Sequence, residues 1–249
     1  MIKSTLEKHQ STLPVLALVL ATFFWGSSFI TVSSALAYTN PLTLVMFRFL
    51  VGAFFVFFLL KGRIHEIPAH TWKAGAICGF VIYLVYATNA IGLMTLQSSA
   101  SGFLTALYVP ITPLMIWVVY GKAPYFGAFL GAILAFTQLL FTGLFGALGL
   151  MIAMLFGVPL KDTVFNQAVC LSIVWLAIIV AFVQVLLSWA QRYVPAGRAA
   201  VIFAMESVFA AIIGWFAGEN LGVMGLVGGA LIVAGILCGE LRLPKRRSR

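Results

Sequence analysis

Charge is scarce in this chain. Charged side chains make up 8% of its 249 residues, and only six of them are acidic. A soluble domain carries about 25% charged residues, because its surface must be hydrated. The shortage excludes an ordinary soluble fold and leaves a bilayer as the solvent. Cysteine is scarce too: Cys78, Cys170 and Cys238 stand alone in apolar sequence, with no C-x-x-C spacing. That excludes a disulfide framework and a cysteine metal site, and leaves three small packing residues. The sequence has no phosphate-binding loop, dinucleotide fingerprint, metal-ligand spacing or Ser/His/Asp set. His9, His65 and His70 all fall in expected loops. Nothing points to an enzyme, a cofactor or ATP, so any transport would run on gradients.

Apolar sequence is abundant, at 63% of the chain. A helix needs about 20 apolar residues to cross the hydrocarbon core. Runs of that kind are read at Leu13–Leu36, Leu42–Leu60, Trp72–Leu93, Ala100–Tyr120, Tyr125–Gly157, Ala168–Trp189, Ala199–Ala217 and Leu221–Cys238. They are continuous rather than alternating, which excludes barrel strands. The expected fold is an all-α polytopic membrane protein of about eight transmembrane helices. The loops are too short to hold a soluble domain. The basic start and Ala35-Leu36-Ala37 imitate a signal peptide. The first run, however, exceeds the roughly 7–15 residues of a signal core.

The net charge of +9 would suit nucleic acid if it formed a patch. It is instead distributed by topology. With eight spans and the N-terminus inside, 13 of the 15 basic residues fall on one side. Lys161 alone falls on the other, and Arg48 lies within a span. This bias is the positive-inside rule. It implies cytoplasmic termini, a bacterial inner membrane, a lipid partner and no nucleic acid. The basic tail, 241–249, is an orientation signal that can also touch anionic headgroups.

A segment recurs 97 residues along: Gly121 matches Gly218, Gly131 matches Gly228 and Leu134 matches Leu231. Internal repeats in a membrane protein point to a carrier whose halves rock around a site between them. The same offset carries the third run onto the sixth and the second onto the fifth. The first run has no counterpart. Tyr125–Gly157 is irregular in another way. Its 33 residues would make a straight helix of about 50 Å, against a core of about 30 Å. Two crossings would need about 40 residues and would reverse the sidedness of every later loop. One crossing is expected, with Gly127, Gly131, Gly143, Gly146 and Gly149 as places to bend or break.

These residues resemble the EamA-type transporters of the drug/metabolite transporter superfamily. The motifs are Trp25-Gly26-Ser27-Ser28-Phe29, Pro41 followed by Arg48, Ser98-Ser99-Ala100, and Tyr108-Val109-Pro110 with Pro113. The second half adds Pro195-Ala196-Gly197-Arg198-Ala199-Ala200, Glu206 with Val208-Phe209-Ala210-Ala211, Gly218-Glu219, and Gly228-Gly229-Ala230-Leu231-Ile232 with Gly235-Ile236-Leu237. The resemblance implies ten helices in two inverted five-helix repeats around a central substrate cavity. This chain departs from that plan. Near 135–138 it passes from the fifth helix of the plan into the seventh, omitting about two helices between the repeats. The expected units are a first repeat, 1–135, and a second repeat shortened at its N-terminus, 136–240. Ser207 stands where the family usually has proline, and Lys122 where it often has an acid.

The implied function is export of small organic metabolites, such as amino-acid-like compounds, by alternating access. Proton coupling and a homodimer are both compatible with it. The alternative is a transport-incompetent shortened protein serving as an interaction or structural subunit, or one functional only as a dimer. Glu206 is the most pointed candidate, as an intramembrane carboxylate is costly without a partner. It reads either as a substrate or proton site or as a helix–helix bond. Arg48 reads either as a partner to a carboxylate or as a residue snorkelling outward. Trp25, Tyr83, Tyr86, Tyr108 and Asn89 could line an amphipathic cavity or simply pack. Pro110 and Pro113 would kink the fourth helix.

Overall fold

The computed structural model describes residues 2–61, 63–105, 128–194, 196–220, 222–223, 226–231 and 234. Its regular elements among these residues are all helices, joined by turns and short irregular segments. The helices are α1 (Ile2–Leu36), α2 (Pro41–Leu59), α3 (Ala69–Gly92), α4 (Ser98–Thr105), α5 (Ala128–Leu155), α6 (Gln167–Ala190), α7 (Ala196–Phe203) and α8 (Met205–Phe216). Among the described residues, five helices are long and apolar enough to cross a membrane: Thr12–Leu36, Pro41–Leu59, Ala69–Gly92, Ile133–Leu155 and Gln167–Ala190. The chain is therefore an all-α polytopic membrane protein, as its composition requires. The expected fourth span is described only in its first turns. Tyr108, Pro110 and Pro113 lie outside the described residues.

Local chemistry sets the helix ends. Asn40 caps α2 by accepting from the Thr43 N–H at 2.9 Å, with Pro41 following it in the first turn. Asn166 caps α6 in the same way, through the Val169 N–H. Gly157 and Gly218 both have positive φ, which glycine adopts without steric cost. Each ends its helix with paired carbonyl bonds. After α5 these are Val158 N–H to Ala153 O and Gly157 N–H to Met154 O; after α8, Glu219 N–H to Gly214 O and Gly218 N–H to Trp215 O.

α1 packs between α6 and α8, α5 packs between α2 and α3, and α2 also packs on α6. Lipid tails are as apolar as leucine, so close approach and interhelical hydrogen bonds must hold such a bundle. α5 shows how. A Cβ on Gly143 would meet Leu50 at 2.7 Å, and one on Gly146 would meet the Met46 backbone at 3.0 Å. Gly149 is filled by the Tyr83 hydroxyl. Across the same contact, Gly79 lies against α5, and the Thr142 hydroxyl donates to Gly79 O at 3.1 Å. The α5 glycines are thus sockets for α2 and α3. They do not break the helix, as the sequence allowed them to.

Shifting α3 by 97 residues gives 166–189, one residue from α6, and shifting α4 gives 195–202, one residue from α7. The same shift brings the end of α2 one residue from the end of α5. It also exchanges the α3–α5 contact for the α6–α2 contact, and both are present.

The expected span Ala199–Ala217 is interrupted. It is α7 and α8 with a break at Ala204, where Ala204 N–H bonds Val201 O and Ser207 N–H bonds Ala204 O, each at 3.2 Å. A Cβ on Gly228 would meet no described atom within 4 Å, whereas Gly229 lies against Phe103.

Candidate functional site

The break at Ala204 leaves Glu206 in the first turn of α8, midway along the α7–α8 path. A carboxylate there faces the positive end of a helix dipole. α1 comes close at this level because residue 26 has no side chain. A Cβ on Gly26 would stand 2.7 Å from Glu206 O and 3.0 Å from Ala210 N, both backbone atoms that cannot move aside. Glu206 is only 7% exposed.

Arg48 lies seven residues into α2, about 10 Å from its start. It does not snorkel: the residue is 3% exposed. Its guanidinium sits over the Tyr86 ring, 4.8 Å from the centroid, and 5.7 Å from that of Phe49. The Tyr86 hydroxyl accepts a hydrogen bond from Trp25 Nε1 at 2.5 Å, and the Tyr86 and Phe49 rings meet edge-on at 4.8 Å. Three helices thus fix one plane above the cation: α1 through Trp25, α2 through Phe49 and α3 through Tyr86. Arg48 and Glu206 are both buried. They are not in ion-pair contact, and the Arg48 Nε and Nη2 atoms are buried with no hydrogen-bond partner. An arginine at the centre of a membrane helix costs about 3 kcal/mol. A desolvated cation–π contact returns about 2 kcal/mol. Stacking therefore offsets much of the cost of placing this charge, but leaves its donors unused.

The other expected residues fall elsewhere. The Asn89 amide donates to Ser101 Oγ at 3.1 Å and Thr105 Oγ1 at 3.3 Å, so it ties α3 to α4. Tyr83 sits at the α3–α5 crossing over Gly149, away from the Tyr86 group. Of the expected set, the structure brings together Trp25, Arg48 and Tyr86, and it sets the Glu206 backbone against Gly26, next to Trp25 in α1.

Two pairings escaped the sequence reading. Gln184 Nε2 donates to Gln138 Oε1 at 2.5 Å, a polar bond between α6 and α5. Glu219 caps the start of α4: Oε1 accepts from Ser98 N–H at 2.9 Å and Oε2 from Ser99 N–H at 3.0 Å. Burial by itself raises the Glu219 pKa. The N–H donors of Ser99 and Ser98 outweigh it and hold the group below its ordinary value. No local signal could reveal this, because the partners are 121 and 120 residues apart. Nearby, Lys161 Nζ donates to the end of α1 at Leu36 O and Ala37 O, and Asn40 donates to Lys161 O at 3.2 Å. One end of the bundle is thus sewn together by side chains from distant segments.

The family model described as the EamA-like transporter family matches this chain twice, over residues 12–144 and 136–238. An "Uncharacterized transporter" of Archaeoglobus fulgidus is 28% identical over 237 residues, covering 78% of this chain and 75% of the relative. An alignment of 237 residues that takes up only 78% of 249 must leave part of the relative opposite gaps in this chain. No solved structure matches the chain.

Proposed function

The chain belongs to the EamA-like transporter family, and from that premise we propose that it is a secondary carrier exporting small organic metabolites of amino-acid-like chemistry by alternating access. One observation carries this reading: a carboxylate, Glu206, and a guanidinium, Arg48, are both buried within apolar helices of one bundle and do not pair with each other. Discontinuous helices that leave backbone groups free near the midplane are how carriers of this general kind build binding sites. The two family matches overlap only over residues 136–144, within α5, and support one repeat before that overlap and one after it. The basic residues support cytoplasmic termini in a bacterial inner membrane, with Lys161 and Glu219 at the outer end. Proton coupling would pass through Glu206, and exchange of one metabolite for another would not need it.

The test is flux in proteoliposomes, with a full-length ten-helix relative as control. Export by this chain of any compound that the relative exports supports the reading. Silence across all of them sinks it.

A second reading rests on the gaps opposite the archaeal relative. Without two helices of the family plan, the chain would act as an interaction subunit, or would complete its wall as a homodimer. Flux that appears only where cross-linking shows dimers would select the dimer. A stable monomer without flux would select the interaction subunit.

A further inference from the structure

The two family matches divide the chain into halves that meet within α5. Hydrogen bonds joining residues before that overlap to residues after it gather at one end of the bundle, in two groups. The first is a strap of neutral contacts between the α1–α2 turn and the α5–α6 loop. Thr39 Oγ1 and Thr163 Oγ1 share a hydrogen bond at 2.9 Å, Val164 N–H donates to Tyr38 O at 2.9 Å, and Asn40 donates to Lys161 O. The second is the Glu219 clamp on Ser98 and Ser99, which ties α8 to α4 through one side chain. The strap would part only bond by bond, whereas the clamp parts when a single carboxylate lets go. The α4–α8 contact beside it is made by small residues: a Cβ on Gly102 would stand 2.9 Å from the Ala210 Cβ. Such a contact has no interlocked side chains. It can serve as a pivot one turn from the clamp.

The clamp has a seat of its own. Glu219 Oε2 lies over Gly214, where a Cβ would stand 2.5 Å from it, and the chain reaches that position through Gly218 at φ +91°. The 97-residue shift takes Gly218 to Gly121, Glu219 to Lys122 and Gly214 to Trp117. Lysine has no acceptor, and its charge is unfavourable at the positive end of a helix. A tryptophan side chain also occupies the position of the seat. The helix start that such a second clamp would cap is that of α7. It lies at the opposite end of the bundle: α6 leaves the strapped end and α7 follows it, whereas α3 arrives at that end and α4 follows it. Two of the parts that build the clamp at one end are therefore replaced in the other copy.

We propose that Glu219 is a one-sided latch: it holds the α4 end of the bundle closed, the α7 end has no equivalent, and release of Glu219 from Ser98 and Ser99 is the step that lets the two halves rock. This deepens the carrier reading and rests on it. With the sidedness that the basic residues support, the latched end faces outward and the resting carrier is open to the cytoplasm, the side from which an exporter loads. Loss of a helix cap shifts an equilibrium about fivefold, so removing the latch moves the population of the outward-open form by about that factor.

The experiment measures spin-label distances in the full chain in lipid nanodiscs, with Cys78, Cys170 and Cys238 replaced by alanine. One pair, T95C with V223C, reports the latched end across the two halves; the other, H70C with Q191C, reports the opposite end. All four positions are exposed. The latched-end pair should show mainly a short distance when Glu219 is intact. E219Q should raise the long-distance population about fivefold, and the opposite pair should shorten in step. S98P removes one N–H donor at the first position of α4, where proline is tolerated, and leaves the acid in place. It should act in the same direction and decides the matter should E219Q fail to fold. Size-exclusion elution matching the unlatched parent's control establishes folding of each variant. Reciprocal change at the two ends supports the latch. Widening at the latched end alone marks a local cap and overturns it, as does an unchanged distribution in a folded variant. Equal short and long populations with Glu219 intact also overturn it, since there is then no bias to release. No flux is needed for these outcomes: flux in proteoliposomes beside unmoved distances sinks the latch and keeps the carrier, and absent flux sinks the carrier by its own test.

Discussion

α5 and the α7–α8 pair are helical segments that respond oppositely to their composition. α5 holds Gly131, Gly143, Gly146 and Gly149, yet it runs unbroken from Ala128 to Leu155. The α7–α8 segment has only Gly197 and Gly214, both away from its break, and it breaks at Ala204. Glycine content would predict the reverse. In α5 the missing side chains are replaced by Leu50, Met46 and Tyr83 from neighbouring helices, so the space that would permit bending is filled. At Ala204 the chain tightens to i→i+3 bonds just before a buried acid. The interruption in this chain thus lies beside a buried acid rather than at a glycine. α5 stays straight where close packing replaces the side chains that glycine lacks.

The comparison can be broken most decisively at the acid. Glu206→Gln should abolish the pH dependence of export and lower flux at least tenfold, with unchanged elution on size exclusion. Unaltered flux and pH profile would show that the break serves packing alone. The next effect is on the straight helix. Gly146→Leu would drive a side chain into the Met46 backbone, which cannot yield. Overpacking of this kind costs about 1–3 kcal/mol, so a fall in melting temperature and loss of monodispersity are expected. Gly228→Ala meets no described atom and should be neutral or slightly stabilising, since alanine is the better helix former. Equal effects at the two glycines would overturn the socket interpretation.

The third prediction concerns the clamp between the segments. The Glu219 carboxylate is held below its ordinary pKa, so its contribution is present above the unfolded-state value and is lost as pH falls through the lowered one. Hydrogen exchange at Ser98 and Ser99, taken relative to the intrinsic amide rate at each pH, should therefore accelerate on acidification in the wild type. In Glu219→Gln it should already be fast at neutral pH. A flat profile in the wild type would mean that the cap is not made in the membrane. The smallest effect is expected for Gln184→Leu, which removes the α5–α6 hydrogen bond. Such bonds average about 0.6 kcal/mol in membranes, so a shift in unfolding free energy well above 1 kcal/mol would show that Gln138 and Gln184 do more than join helices.

Much of the molecule was legible as sequence. Long apolar runs fixed the first three spans and the sixth to within a few residues, because a bilayer of given thickness admits little else. The register of the repeat located α6 from α3 and α7 from α4. Trp25, Arg48, Tyr86 and Glu206 could be named as candidates because polar or amphipathic groups inside apolar helices are conspicuous. Their grouping was not legible. Nothing in the spacing tells Tyr86, which covers Arg48, from Tyr83, three residues earlier, which fills a glycine socket on α5. One turn of helix sends the two rings to different neighbours.

The sequence by itself determined that the chain lives in a membrane, how many residues each crossing can use and which family it joins, since these depend on composition, length and ordered motifs. Only the tertiary structure decided that Arg48 turns inward under Tyr86, that Glu206 follows a break, and that Glu219 reaches across the bundle to cap α4. Each of these depends on which helix lies alongside which, and side chains more than 100 residues apart meet only after the bundle has closed.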